Sequence, residues 1–234
     1  MKNVTFLGAA AFALMAATAA NAQNYVGAVY GNADIDGLGD ANFYGVEGAF
    51  GGPNYEFDLS FADSDESDSA ISGAAHLLSR SDSHLLGAFV GASNGSDSTT
   101  WTIGGEGNIY MDNVTFAGAI GYASNDDIDT DGFGLNGEAR LFPSDNFRLQ
   151  AIAGFARVDT AGLEDDVISF GLGGEYQFGD APFSVALNWD RSELSDADIT
   201  AETLTVGLRY NFGGTLRDRD RTGASQAGLV GFGF

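Results

Sequence analysis

The stretch that decides the fold is Leu204-Thr-Val-Gly-Leu-Arg-Tyr-Asn-Phe212, in which an apolar side chain occupies every second position. Successive side chains of a β-strand point to opposite faces, so this stretch predicts a strand with one apolar and one polar face. The same period of two continues back along the chain, for example in Ile168–Phe178 and Tyr55–Phe61. Each run is about 8–12 residues long, the length that a tilted strand needs to cross a bilayer.

The composition agrees with many short strands and excludes several classes of protein. The 234 residues include 34 Gly, only 3 Pro, and 33 acidic against 10 basic residues, for a formal net charge of -23. This acidity argues against a nucleic-acid partner, which requires clustered Lys and Arg. The chain has no Cys, so it has no disulfide and no thiolate site. An aromatic content of 12% argues against disorder.

The first 22 residues have the pattern of a secretory signal peptide. Lys2 precedes an apolar run from Val4 to Ala20, and Ala20-Asn-Ala22 fits the rule for a cleavage site. A transmembrane anchor is the weaker alternative, because the run is rich in Ala and ends in that site. We therefore expect a signal peptide over 1–22, a barrel over 23–212 and a periplasmic C-terminal tail over 213–234.

The runs predict an antiparallel transmembrane β-barrel of about 12 strands, within a range of roughly 8 to 14. The predicted even-numbered strands end in tight turns, and the odd-numbered strands end in longer acidic loops such as Ala33–Ala41 and Val158–Asp165. Short periplasmic turns and longer outer loops are typical of bacterial outer-membrane barrels. An even strand number also leaves both ends of the barrel on the periplasmic side.

Aromatic residues gather at the short-turn end of the predicted strands, where we expect an inner girdle at the level of the lipid headgroups. Trp101 and Trp189 fall near the opposite end. A soluble β-sandwich also alternates, but it gives no reason for aromatics to collect at one end of its strands. The predicted inner girdle is Phe50, Tyr55, Tyr110, Phe142, Phe147, Phe178, Phe183, Tyr210 and Phe212.

At this point the chain resembles the small porin-like outer-membrane barrels of Gram-negative bacteria. The resemblance rests on the signal peptide, the acidic loops and the ending Arg209-Tyr-Asn-Phe212, which is similar to the terminal strand that the barrel-assembly machinery reads. It implies an outer-membrane location, contact with lipids and lipopolysaccharide, and passive diffusion of small solutes. Such barrels usually stop at the aromatic residue, so the tail over 213–234 is a departure. It could be a periplasmic extension, a plug or an extra pairing segment.

Strand direction and facing together predict a belt of ionisable side chains of both signs in the periplasmic half of the lumen. Only Asp190, with Asn188, is predicted to lie in the outer half. The belt is either a constriction that selects solutes by charge or a salt-bridge network that fills a narrow lumen. Because its acids outnumber its arginines, a pore should prefer cationic or neutral solutes. The predicted belt is Glu47, Glu56, Asp58, His76, Glu106, Glu138, Arg140, Arg148, Glu175 and Arg209.

The acidic loops form a hydrophilic rim and are candidate calcium ligands. Asp127, Asp129 and Asp131, with Gly132 and Glu138, match the spacing of an EF-hand loop. The match is discounted because Gly132 to Glu138 reads as an extended strand, which carries Glu138 away from the loop. A looser site made by the three aspartates is the better expectation, since hard cations take several carboxylate oxygens.

Catalysis is not expected. The chain has two His, no Cys and no recognisable nucleophile motif beside either His. A non-conducting structural or adhesion barrel remains the alternative to a pore. The sequence does not determine the solute or the oligomeric state.

Overall fold

The computed structural model describes residues 25–37, 39–52, 54–65, 68–95, 98–179 and 181–222. The predicted signal peptide (residues 1–22) and residues 223–234 of the predicted tail lie outside the described residues. Twelve antiparallel strands pair in chain order and close into a barrel. The strands are β1 Tyr25–Ile35, β2 Gly39–Gly52, β3 Tyr55–Ser64, β4 Ala70–Arg80, β5 His84–Gly95, β6 Ser98–Tyr110, β7 Val114–Asn125, β8 Thr130–Ser144, β9 Phe147–Thr160, β10 Leu163–Gln177, β11 Phe183–Leu194 and β12 Ile199–Asn211.

The barrel closes by pairing its first and last strands along their full length. Tyr25 lies opposite Asn211 at one end of this seam, and Ile35 lies opposite Ala201 at the other. Because the strand number is even, β1 begins and β12 ends at the same end of the cylinder. We call this the periplasmic end, and the opposite one the outer end. Closure leaves no unpaired strand edge. An open edge within lipid would leave backbone N–H and C=O groups without hydrogen-bond partners.

Apolar and polar side chains are distributed in the reverse of a soluble protein. Large apolar side chains such as Leu77, Ile103 and Ile120 face outward and are exposed. Arg140 and Arg209 face inward and are among the most completely buried side chains. This distribution is that of a barrel with a lipid-facing exterior and a polar interior, and it excludes the soluble sandwich.

Two strands whose facing the sequence leaves open have a definite orientation. In β1, Val26 and Tyr30 face outward while Tyr25 is buried inside. In β5, Leu86 faces outward, whereas Leu85 and Phe89 are buried in the lumen. The periodicity was ambiguous in both strands because apolar side chains lie on both of their faces.

The longer outer loops predicted from the sequence are mostly strand. β1 and β2 are joined by residues 36–38 alone, and β9 and β10 by residues 161–162. Acidic residues suggested loops, but the antiparallel ladder continues beyond the apolar band. Bidentate contacts from Arg157 to Asp166, 2.7 and 2.9 Å, join β9 to β10 there. The prediction of longer loops at these strand ends was therefore wrong.

The inner girdle is present, but it excludes two of the predicted aromatics. The Tyr210 ring packs 5.1 Å from Phe212 and 5.4 Å from Phe183, on the outside of the barrel. Tyr110 and Phe142 are instead buried at the periplasmic end. Tyr110 is the last residue of β6, and Phe142 lies in the irregular last residues of β8, after Leu141. At such places the position along the strand indicates the depth of a ring but not whether it points inward or outward.

A short helix, the tail helix, spans Leu216–Thr222 after β12. Thr215 and Asp218 form a reciprocal cap: the Thr215 amide donates to Asp218 Oδ2 (3.2 Å), and the Asp218 amide donates to Thr215 Oγ1 (3.0 Å). Gly213 and Gly214 have φ of 85° and 67°, which allow the chain to turn sharply after the last strand. In the described part of the chain, no helix has the length and apolar character to cross a membrane.

Candidate functional site

The ten ionisable residues predicted for the belt all come from inward positions of the strands. Nine are buried, and Asp58 is partly buried. They fall into three groups of neighbours, which are built around Arg209, Arg140 and His76. We call the ten residues together the charged belt.

The Arg209 group joins both sides of the barrel seam. Arg209 Nε donates to Glu47 Oε1 at 2.7 Å, and Nη1 donates to Glu175 Oε2 at 2.8 Å. Arg148 Nη2 reaches the same Glu175 oxygen at 2.9 Å. Tyr25 packs against the Arg209 guanidinium, 4.9 Å from the ring centroid. Two arginines and two glutamates from β2, β9, β10 and β12 therefore neutralise one another.

The Arg140 group includes a partner that lies outside the barrel strands. Arg140 Nη2 donates to Glu138 Oε2 at 2.6 Å, and Nη1 donates to Asp220 Oδ1 at 2.7 Å. The second Asp220 oxygen accepts a 2.5 Å hydrogen bond from Thr115 Oγ1. Asp220 belongs to the tail helix and is itself buried. The belt thus holds the tail by a charged contact inside the mouth of the barrel.

The His76 group sets one imidazole between two carboxylates. His76 Nδ1 lies 2.7 Å from Glu106 Oε1, and Nε2 lies 2.8 Å from Asp58 Oδ2. The Phe89 ring packs 5.6 Å from the imidazole, and Glu56 lies opposite His76 in the ladder. Both ring nitrogens face an acid, so neither is available to activate a nucleophile. This arrangement suits a structural imidazole.

The tail helix reaches opposite walls of the periplasmic mouth. Gln177 on β10 donates to the Gly214 carbonyl at 3.2 Å, and Arg80 on β4 donates to the Arg221 carbonyl at 2.9 Å. β4 and β10 are six strands apart in a closed barrel of twelve, so they face each other across the lumen. Leu216 is buried at the start of the helix. The segment from Gly214 to Arg221 therefore spans the mouth.

Further arginines of the tail helix bind the rim of the mouth. Arg217 lies 3.2 Å from Asp145 in an ion pair at the β8–β9 turn, and Arg221 stacks over Tyr110 at 5.1 Å. Arg219 donates to Gln177 and to the Gly213 carbonyl. Burial lowers the pKa of Arg219 to about 10, with attraction to Glu175 opposing the shift, so it stays charged at neutral pH. These contacts hold the tail helix and Gly213 against the periplasmic mouth.

Sequence analysis missed Asp220, Arg219 and Arg80 as members of the lumen. The tail carries no period of two, and Arg80 ends its strand beside a turn. Two features of the tail could have identified the helix. They are the capping pair Thr215 and Asp218 and the alternating charges of Arg217-Asp-Arg-Asp-Arg221.

The outer half of the lumen has a different chemistry. It contains buried hydroxyl and amide side chains, with Asp190 as a buried acid among them, and an apolar cluster of Phe89, Ala119, Ala123 and Val158. The inward neutral residues include Ser72, Ser98, Thr100, Thr102, Asn125, Thr130, Asn136, Gln150, Ser169, Asn188, Ser192, Thr203 and Thr205. A wall of this kind is wettable and carries little fixed charge.

The three aspartates expected to bind calcium are not gathered into a site. Asp127 accepts the Thr99 amide at 3.0 Å, Asp129 occupies a turn with φ of 51°, and Asp131 is exposed on β8. Glu138 lies deep in the lumen on Arg140, so an EF-hand loop does not form. Among the described residues, no group of three or more His, Cys, Asp or Glu could hold a metal ion. Calcium bound jointly by the acidic rim and lipopolysaccharide stays a prediction.

Comparison with known proteins supports this architecture. In solved structures the barrel is similar to the KdgM porin in complex with disordered oligogalacturonate, with a TM-score of 0.60 and 11% identity over 80% of this chain and 99% of that chain. It is similar to the NanC porin, with a TM-score of 0.62 and 8% identity over 79% and 100% of the two chains.

The translocator domain of the autotransporter NalP from Neisseria meningitidis is a third neighbour, with a TM-score of 0.54 and 15% identity over 90% of this chain and 98% of that domain. Identities this low establish the fold alone. No curated protein sequence matches the chain significantly. A family model described as the outer membrane protein beta-barrel domain matches residues 4–212. The chain therefore belongs to the outer-membrane β-barrel family, and its place is the bacterial outer membrane.

Proposed function

We propose that this porin-like barrel is a narrow diffusion channel for small cationic or neutral solutes, with the tail helix as a barrier at its periplasmic mouth. The observation that carries the proposal is the outer half of the lumen, which hydroxyl and amide side chains line. Apolar side chains fill only part of the interior, in the cluster of Phe89, Ala119, Ala123 and Val158. A barrel whose only role was structural could fill the whole space in this way.

Charge supports the preference for cationic and neutral solutes. The outer rim is acidic, and Asp190 is the acid in the wall below it. The charge of the belt further down is partly neutralised, because Glu47, Glu138 and Glu175 are each paired with an arginine. The rim and Asp190 therefore set the sign of the field that an entering solute meets, and the belt forms the constriction.

The acidic oligosaccharide named with KdgM is a poor candidate solute for this chain. Oligogalacturonate carries negative charge, and here the formal net charge is -23. Like charges repel at the entrance of a pore and slow entry. We propose instead solutes that are neutral or positively charged.

Conductance in planar bilayers tests the channel directly. The full chain should conduct weakly, and a variant that lacks residues 213–234 should conduct severalfold more because the barrier is gone. A reversal potential in a KCl gradient should report cation preference. An absence of conductance from both proteins, or a preference for anions, would refute the proposal. Heat-modified mobility on a gel checks that the shortened barrel folds, and Asp220→Asn provides a second way to release the tail.

A non-conducting structural or adhesion barrel is the alternative, and the ion-paired belt favours it. In that case the belt fills the lower lumen, and removal of the tail leaves conductance unchanged. We propose no catalytic role, since the His76 nitrogens are both occupied and His84 bonds to Ser81 in an exposed turn. We also propose that β12, with Phe212 after it, is the segment read by the barrel-assembly machinery.

A further inference from the structure

The outer half of the lumen contains a buried carboxylate that has no ion-pair partner. Asp190 lies on β11, is 5% exposed, and faces Gly171 on β10 and Thr203 on β12 in the ladder. No ion pair of the described residues includes it, and its Oδ2 accepts no hydrogen bond from the described chain. A buried charge without a partner destabilises a fold, so its presence calls for an explanation.

The wall around Asp190 offers further groups for hydrogen bonding. Asn188 and Ser192 precede and follow it on the inward face of β11, and Gln150 Nε2 donates to Asn188 Oδ1 at 3.1 Å. Three buried oxygens nearby have no hydrogen-bond partner among the described residues: Gln150 Oε1, Ser192 Oγ and Thr205 Oγ1. In the ladder these positions lie within one or two rows of Asp190, on β9, β11 and β12.

Glycines on β10 allow the polar groups to lie against the wall. A Cβ added to Gly171 would lie 2.2 Å from Asp190 Oδ1, and one added to Gly173 would lie 2.1 Å from Asn188 Oδ1. Both distances are far inside van der Waals contact. The carboxylate and the amide therefore lean over the neighbouring strand in space that only glycine leaves open. The glycine at position 171 therefore permits the position that the Asp190 carboxylate takes.

We propose that this wall of β9–β12 is a binding subsite for a small organic cation that carries an ammonium group and hydroxyl groups. An ammonium has three N–H donors, which match one carboxylate oxygen and neighbouring neutral oxygens. The hydroxyl groups of Ser192 and Thr205 can donate to or accept from a hydroxylated ligand. The subsite deepens the proposed function and rests on it for the access of solutes to the lumen.

Other ligand classes fit the wall less well. An anion would face the charge of Asp190, and no arginine of the described ion pairs contacts this part of the lumen. A hard divalent cation takes six or more oxygens and usually several carboxylates, whereas this wall has one. The chemistry therefore favours a singly charged organic cation.

Binding to the purified full chain in detergent micelles tests the subsite without any need for conduction. The probe is ethanolammonium, titrated with ligand-observed NMR, and ethylene glycol is its neutral counterpart. We expect saturable binding of ethanolammonium that weakens at least about tenfold in Asp190→Asn, because a charge-assisted hydrogen bond is lost. The matched control is Asp34→Asn, the same change at an exposed rim position, which should leave binding unchanged.

A second pair of variants keeps the charge and alters its position. Gly171→Ala forces the Asp190 carboxylate off the wall and should change the affinity severalfold. Gly137→Ala is the control, because it is exposed on β8 and a Cβ there meets nothing closer than 3.9 Å. Equal effects of the two alanines would count against a built subsite.

Three results would overturn the proposal. They are an absence of saturable binding, equal losses in Asp190→Asn and Asp34→Asn, and equal affinity for ethylene glycol. The conductance experiment above is independent of all three. Binding at Asp190 in a barrel that never conducts would refute the channel and keep the subsite. Conduction by a barrel that shows no Asp190-dependent binding would keep the channel and refute the subsite.

Discussion

The two halves of the lumen use inward polar side chains in opposite ways. In the periplasmic half, acids and arginines meet at 2.6–2.9 Å, within one strand at Glu138–Arg140 and between two strands at Arg148–Glu175. In the outer half, neutral side chains surround the unpaired Asp190. The alternation of the strands places polar groups inside in both halves. Only the periplasmic half brings charges of both signs within reach of each other, whereas the outer half leaves Asp190 without an ion-pair partner among the described residues.

Removal of an arginine from the charged belt should have the largest effect on stability, and it tests whether the periplasmic half of the lumen stabilises the barrel. Arg209→Ala leaves Glu47 and Glu175 buried with one cation fewer, and the free energy of unfolding should fall by about 3–5 kcal/mol. Urea unfolding in lipid vesicles measures it, with Trp101 and Trp189 as the fluorescent reporters. A loss below about 1 kcal/mol would mean that water hydrates these carboxylates, and the belt would then be an open constriction rather than a structural network.

The link between belt and tail should show the next largest effect. Asp220→Asn removes the charge that Arg140 and Thr115 hold in the mouth, at a cost of about 1.5–3 kcal/mol for a hydrogen bond to a charged group. The released tail exposes Arg217, Arg219 and Arg221 to trypsin, so cleavage there should accelerate at least about tenfold.

Asp218→Asn is the matched control on the same helix. Its carboxylate caps the Thr215 amide and has no ion pair with a strand among the described residues. The tail should therefore remain protected from trypsin. Equal cleavage of the two variants would show that helix formation, and not the contact with Arg140, holds the tail in place.

Replacing an acid by its amide should change the free energy of unfolding in opposite directions in the two halves of the lumen. Asp190→Asn removes an unpaired buried charge, and we expect the free energy of unfolding to rise by about 1 kcal/mol at neutral pH. Glu175→Gln instead takes a charge from Arg148 and Arg209 and should destabilise the barrel. Both are read from the same urea transitions. Destabilisation by Asp190→Asn would mean that the carboxylate has a partner in the folded protein, and the contrast between the halves would fail.

The alternation along each strand was enough to predict the fold and the membership of the belt. Twelve strands, their order and the ten inward ionisable residues follow from a period of two, because facing is a property of each strand alone. Outer strand ends were misjudged, as at Ile35 and Thr160, because acidic residues resemble loops when neighbouring strands are ignored. Tyr110 and Phe142 were assigned to the girdle because the sequence indicated correctly how deep their rings lie along the barrel, but not that the rings are buried.

The partners within the belt could not be predicted. Arg209 meets Glu175 across two strands, and the contact depends on the stagger of the closed sheet, which no single strand encodes. Asp220 was missed because the tail lacks the alternation that identified every other element. The sequence predicted that Asp190 lies apart from the other inward ionisable residues, in the outer half of the lumen. The space that Gly171 leaves for its carboxylate depends on the pairing of β10 with β11, which the sequence does not show.

The smallest expected effect gives the cleanest measure of what burial contributes. Arg157 and Asp166 form an ion pair at the outer rim with the same 2.7 Å contact from Nε that Arg209 makes to Glu47. The Arg157 side chain is 48% exposed, whereas that of Arg209 is 2% exposed. Water can replace the rim contact, so Arg157→Ala should leave the urea transition unchanged within error. Each arginine makes two hydrogen bonds to carboxylates, Arg157 to one aspartate and Arg209 to two glutamates. The difference between the two alanine variants therefore reports mainly on burial. Equal losses at the two sites would show that strand pairing, and not the dry environment of the belt, makes these ion pairs stabilising.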